Sequence, residues 1–214
     1  QPRVSQDVAV DGKRAHGALF LGGHYTDVQS FDPVIARPVT ETAMTEPSYS
    51  LEGWYPTQMA AVNRLETAFE TLERLVVIPA QYRSSGTERL WDRLTYDVYH
   101  STITETVDPT IWSVDSAQLP DRAMFSAEVT DKSGVERVVA AYSLGGGTWD
   151  SVDLTYNAAE DAWLGSVMLD EEGSVDYFIQ SVDAAGNVSA SDNKGFFFEP
   201  STYAVYLPTV LSSR

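Results

Sequence analysis

Apolar and polar residues alternate with a period of two through much of the second half of the chain. The runs are Ile111–Val114, Met124–Thr130, Glu136–Tyr142, Thr148–Tyr156, Trp163–Leu169, Val175–Val182 and Gly195–Phe198. In one of them Phe125, Ala127 and Val129 alternate with Met124, Ser126 and Glu128. In another Trp163, Gly165, Val167 and Leu169 fall on one face. Successive side chains of a strand point to opposite faces, so this pattern is that of half-buried strands. Between the runs lie DKSG, SLGGG, NAAEDA, DEEG and DAAGN, all rich in turn-forming residues. Short strands at this spacing predict a β-sandwich.

The first half is less regular. RLVVIPAQYR (74–83), SSGT and ERLWDRLTYDVYHS (88–101) read as a hairpin. Strict alternation places Leu90, Asp92, Leu94, Tyr96, Val98 and His100 on one side of its second strand. The run RAHGALFLGG (14–23) joins the same sheet. Residues 56–75 fit two patterns. Val62, Leu65, Phe69 and Leu72 have helical spacing behind a Pro56-Thr57 cap, and the same stretch divides into two strands about Thr67–Thr71. Residues 40–53 read as a connecting loop. The expected class is all-β, with two β-sandwich-like domains in tandem and strand-like tails. The boundaries are 1–107 for a β-rich N-terminal domain, 108–200 for an immunoglobulin-like sandwich and 201–214 for a C-terminal tail. Pro109 marks the junction.

Composition narrows the function. Hydrophobic residues make up 43% of the 214, enough for a packed core rather than a disordered chain. Asp and Glu number 31 against 14 Lys and Arg, a net charge of −17. Such a surface repels phosphate backbones and anionic headgroups, which argues against nucleic-acid partners, and it attracts cations. The absence of Cys removes disulfide scaffolds, thiolate nucleophiles and thiolate zinc sites. No run reaches the roughly 18 apolar residues of a membrane-spanning helix, so membrane insertion is not expected. The chain opens at Gln1 rather than Met, which fits a processed secreted protein or an excised fragment.

The sequence DKSGVERVVAAYSLGGGTW, followed by AWLGSV and VDYFIQSVDAAGNVS, resembles the immunoglobulin-like and fibronectin-type-III-like modules of secreted bacterial surface proteins. Tyr177, Ile179, Ser181, Asp183, Gly186 and Asn187 stand where that pattern has a strand running into a Gly-Asn turn. The resemblance spans about 108–199 and implies a sandwich fold and a bacterial cell-surface or extracellular setting. VVIPAQYRSSGTERLWDRLTYDV (76–98) is similar to the β-rich propeptide region of gingipain-type cysteine peptidases. The His and Cys of that family's catalytic domain have no counterpart here. VYLPTVLSSR (205–214) resembles the endings of some secreted bacterial proteins, without the pattern of a sortase signal.

Candidate chemistry is sparse. No G-x-S-x-G elbow is present, and SLGGGTW precedes a strand rather than a helix, so it is a bend and not a phosphate loop. His16 and His24 share a face of a straight strand and could ligate a metal with Asp27, although Gly17, Gly22 and Gly23 interrupt that strand. His100 reads as a surface residue. Calcium is the strongest candidate ligand, through Asp131, Asp183 and Asn187, with Asp170, Glu171, Glu172 and Asp176 in a neighbouring loop. Calcium takes six to eight oxygens, which loops at one end of a sandwich can supply. Turn formation is the competing role for the same residues, since Asp and Asn bond their own backbone. No cofactor is required by this reading.

The expected protein is non-catalytic and extracellular, a structural or interaction subunit of a cell-surface fibre or sheath. Its contacts would be edge-strand contacts with itself or with other surface proteins. Two other readings stand beside it. One is an accessory or propeptide-like part of a larger secreted cysteine peptidase. The other is an adhesin that binds glycans through exposed members of its five Trp residues.

Overall fold

A computed structural model describes residues 3–32, 52–169 and 173–202. The chain is all-β and sandwich-like. A small sheet holds β1 (Val4–Asp7), β4 (Thr71–Val77) and β3 (Ala60–Glu66), in the order β1-β4-β3. The region 56–75 is therefore a hairpin, with Leu65 opposite Leu72 and the turn at 67–70. The other strands in its half are β2 (Arg14–Gln29), β5 (Ala80–Arg83) and β6 (Thr87–Ser101), with β6 between the other two. The stretch 74–83 does not form one strand. It breaks at Pro79, whose missing N–H suits a sheet boundary, and its two halves enter different sheets.

The second half supplies β7 (Thr110–Leu119), β8 (Arg122–Thr130), β9 (Val135–Ser143), β10 (Thr148–Asn157), β11 (Ala162–Met168), β12 (Asp176–Asp183), β13 (Val188–Ser191) and β14 (Ser201–Thr202). Six of these match the periodic runs. The seventh expected strand, Gly195–Phe198, is instead a 3-10 turn at Asn193–Gly195 followed by a lone bridge from Phe198 to Tyr177. Left-handed φ at Asn193, Lys194, Gly195 and Phe197 curls the segment out of an extended ladder. The C-terminal tail is described only for Ser201 and Thr202, which pair in parallel with β7, and 203–214 lie outside the described residues. The N-terminal tail pairs with β4 of its own chain.

Three layers result. An outer layer of β14-β7-β8-β11 packs on a middle layer of β10-β9-β12-β13, and the pair β2–β6 with β5 covers the far side. The outer interface is filled by Phe125, Ala127 and Val129 of β8 against Val138, Ala140, Tyr177 and Ile179. The central strands of the middle layer, β9 and β12, are buried on both faces. Val139 and Val182 meet Leu19 of β2, and Ala141 meets Phe20, Trp91 and Trp149. This explains the unbroken apolar run VVAA in β9, which half-buried strands do not show.

Strand β10 belongs to three ladders in turn. Thr148 and Trp149 pair with β2, Asp150–Leu154 with β9, and Thr155–Asn157 with β11. Its approach to β2 requires glycine. Gly22 has φ 149°, and a Cβ there would lie 2.5 Å from the Trp149 carbonyl oxygen. In β6 the alternation reverses at a bulge beside Asp92, where His24 faces Arg93 and Tyr25 faces Trp91. Trp91 and Arg89 are therefore buried while Leu90 is exposed, contrary to strict alternation.

Polar side chains dock the layers. Gln180, buried in β12, accepts the Phe20 N–H at 2.9 Å and donates to the Phe20 carbonyl at 2.8 Å. Its amide acts as a short strand between two sheets. Glu73 is also buried, accepting from the Ala15 N–H at 3.0 Å and pairing with Arg64, and it ties the small sheet to β2. Gln180→Met would keep the volume and strand two buried backbone groups. We expect a loss of about 2–4 kcal/mol in stability by urea denaturation. A loss under roughly 1 kcal/mol would show that the bridge does not hold the layers.

Candidate functional site

The turn after β12 and the start of β2 meet at one end of the molecule. The sequence VDAAGNVS closes on itself there. Asp183 is wholly buried, and its Oδ1 accepts from the backbone N–H of Ala185 at 2.9 Å and of Asn187 at 2.8 Å. Gly186, at φ 94°, completes the corner. Asn187 Nδ2 donates to Asp183 Oδ2 at 2.8 Å and to Glu105 Oε2 at 2.9 Å. Since the amide faces two carboxylates, its Oδ1 is the atom turned to His16 Nδ1, 3.0 Å away. That nitrogen must donate.

His16 Nε2 lies 3.1 Å from Ser101 Oγ. A Ser, a His and an Asn in this order have the form of a nucleophile, base and orienter. Donor counting argues against that chemistry. The Ser101 hydroxyl donates its one proton to the Ala185 carbonyl at 2.7 Å and accepts the Ile103 N–H at 3.2 Å. Nε2 therefore faces an oxygen whose one proton is already given to the Ala185 carbonyl. The cluster clasps β2, β6 and the β12–β13 turn together. Beside it, burial raises the Asp108 carboxyl above the usual carboxylate range, and the Asp183 and Glu105 charges push it further.

The expected metal ligands are dispersed. Asp131 accepts from the backbone and hydroxyl of its own Ser133, at 2.6 and 2.7 Å, and shares no hydrogen bond with Asp183 or Asn187. The two loops do touch, through the Ala184 N–H and the Gly134 carbonyl at 2.9 Å. Asp131 and Asp183 each accept backbone N–H groups of their own turns. Asp170, Glu171 and Glu172 lie outside the described residues. Among the described residues no group of three or more His, Asp or Glu is placed to hold a metal ion. The trio His16, His24 and Asp27 is not assembled, because bulges after Ala15, Phe20 and His24 rotate β2. His24 pairs with Asp92, and Asp27 pairs with Arg89. His100 is not a bare surface residue, since its Nε2 lies 2.7 Å from the Val8 carbonyl oxygen.

His16 and Asp108 also line one end of a cleft of about 220 Å³. The cleft runs between β2, the β13 edge and the start of the β3–β4 hairpin. Its aromatic wall includes Phe20, Trp91, Tyr96, Trp149 and Phe178. Phe20 is the hub, with ring centroids 5.8 Å from Trp91, 5.6 Å from Tyr96 and 5.9 Å from Phe178. Burial raises the Tyr96 phenol well above its ordinary value, so it stays a neutral hydroxyl. Sequence reading missed this cleft. Its walls come from residues near 20, 60, 95, 149 and 190, and no spacing motif links them.

A scan against protein-family models, a search of curated proteins and a search of solved structures each return no match for this chain.

Two outcomes test this site. Asn187→Ala removes the bridge between Asp183, Glu105 and His16. We expect about 2–3 kcal/mol of destabilisation by chemical denaturation, as for other buried polar groups left without partners. Asp108→Asn should act in the opposite sense. The folded state holds the Asp108 proton more tightly than the unfolded chain does, so stability falls as pH rises toward its raised folded-state value. The variant should therefore melt higher than the parent at neutral pH and equal it at acid pH. A lower melting point at neutral pH would reverse this assignment.

Proposed function

We propose that this is a non-catalytic extracellular interaction protein, a subunit of a cell-surface fibre or sheath. The observation that carries the reading is the tip of the β3–β4 hairpin. Phe69 is 98% exposed there, with Leu65 beside it at 58%. The tip is ordered: Thr67 Oγ1 accepts from the N–H of Glu70 at 3.0 Å and of Phe69 at 3.3 Å, and donates to the Glu70 carbonyl at 2.9 Å. A large apolar ring held out on a fixed turn loses little entropy on docking, the usual character of an interface anchor.

The strand edges support the same reading. Among the described residues β3 and β13 each pair on one side only, with β4 and β12. An unpaired edge offers a row of backbone donors and acceptors to an added strand. An exposed apolar knob that meets a different surface on the next copy makes an open-ended contact, and open-ended contacts make fibres. Self-association is the partner chemistry assigned here. Trp112 favours a second reading. Its ring is 69% exposed on β7 while its Nε1 donates to Thr130 Oγ1 at 2.7 Å, a fixed exposed face of the kind that stacks on sugar rings.

Electron microscopy and sedimentation velocity at micromolar concentration test the first reading. The parent chain should form extended polymers. Phe69→Ser and deletion of 201–214 should each leave folded, smaller species. A parent that stays monomeric, or polymers unchanged in both variants, would overturn it. Retention on polysaccharide columns that is lost in Trp112→Ala would favour the adhesin.

A further inference from the structure

The aromatic cleft has a charge preference as well as a shape. Six rings line it: Phe20, Trp91, Tyr96, Trp149, Phe178 and Phe197. Its polar lining includes Asp108 and Asp192, and no Lys or Arg is among the described residues that line it. His16 also lines the cleft, at the Asp108 end, but its two nitrogens are engaged with Asn187 and Ser101. Behind Asp108 stand Glu105 and the buried Asp183, neither of which has a Lys or Arg ion pair among the described residues. The cleft wall also holds an unused donor. Trp149 is 2% exposed, and its indole Nε1–H, also buried, has no hydrogen-bond partner.

These features specify a ligand class. Aromatic faces attract a positive charge through their quadrupoles, most strongly when the cation is weakly hydrated. A quaternary ammonium group fits that description better than a metal ion, which would require a set of hard oxygens that the cleft does not provide. Asp108 beside the start of β13 and Asp192 beyond its far end add direct attraction, and the net charge of −17 concentrates cations around the molecule. The unpaired Trp149 N–H calls for an oxygen acceptor on the same ligand. Size agrees, since a cavity of roughly 150 Å³ takes a benzene ring. We propose that the cleft binds a small organic ammonium ion carrying an oxygen atom, of the choline class. The ammonium lies against the aromatic wall between Asp108 and Asp192, and the oxygen takes the Trp149 N–H. This site is separate from the Phe69 tip and does not depend on polymer formation.

Choline and its neutral isostere 3,3-dimethylbutan-1-ol are the probes, titrated into the whole chain by calorimetry and by NMR of the indole N–H signals. The Trp149 signal is assigned from Trp149→Phe. Choline is expected to bind and to shift that signal downfield, with the isostere about tenfold weaker for want of its charge. Asp108→Asn and Asp192→Asn should weaken choline and leave the isostere unchanged. Ala190 is the cross-strand partner of Gln180, so it lies on the same face of the sheet. Ala190→Trp should fill the cleft and abolish both signals, with retained folding checked by circular dichroism. Equal affinity for the two probes would reduce the site to an apolar gap. Binding that survives Ala190→Trp would place it elsewhere. An unmoved Trp149 signal in the folded parent would overturn the proposal outright.

Discussion

Everything in this molecule is arranged around a layer buried on both faces. Strands β9 and β12 have no solvent side over their central residues, so every side chain there must be apolar or fully partnered. Val138, Val139, Ala140 and Ala141 meet the first condition on alternate faces. Gln180, Ser181 and Asp183 meet the second, and each does so by gripping another element. Gln180 takes both backbone groups of Phe20, Ser181 bonds Ser189 across to β13, and Asp183 closes the following turn. The polar residues of the middle layer thus decide where its neighbours sit. The apolar ones decide only that something must cover them.

The same logic gives the corner at Asp183–Asn187 its form. Calcium-binding loops and tight turns draw on the same residue types, because carboxylate and amide oxygens serve both a cation and a backbone N–H. At this corner the backbone has the stronger claim. Asp183 accepts three hydrogen bonds from within its own turn, and Asn187 spends its amide on two carboxylates and a histidine. The result is a clasp whose charge is mostly negative, set at the mouth of an aromatic cleft. Scaffold and candidate binding site share a wall.

Much of the fold was legible where burial is one-sided. β8 shows this best, since Phe125, Ala127 and Val129 face the core and Met124 and Glu128 face out, as the alternation requires. Legibility failed where backbone geometry overrode the pattern. The bulge at Asp92 turned β6 over, Pro79 divided one apparent strand between two sheets, and the left-handed residues Lys194 and Phe197 curled Gly195–Phe198 out of its ladder. The hairpin at 60–77 was one of two open patterns because Leu65, Phe69 and Leu72 keep helical spacing while Leu65 and Leu72 can equally meet across a turn, as they do. Asp131 and Asn187 lie in neighbouring turns and Asp183 at the end of β12, but sequence spacing does not reveal which donors a carboxylate will meet. The cleft and the His16 clasp were invisible for a simpler reason. They join residues about 80 to 170 apart along the chain.

That separation bears on how the chain reaches this state. The ladder between β2 and β10 closes Gly23 onto Trp149, and the Gln180 bridge closes across 160 residues. Hairpins such as β3–β4 and β7–β8 can form from neighbours, whereas these joints wait for most of the polypeptide to be present and collapsed. Until they close, the apolar faces of β9 and β12 and the edge of β10 are open to any other strand nearby. The joint of that shared strand to β2, unlike its local ladders with β9 and β11, is therefore a late commitment, and the period before it is made is when the chain is most exposed to pairing with the wrong molecule.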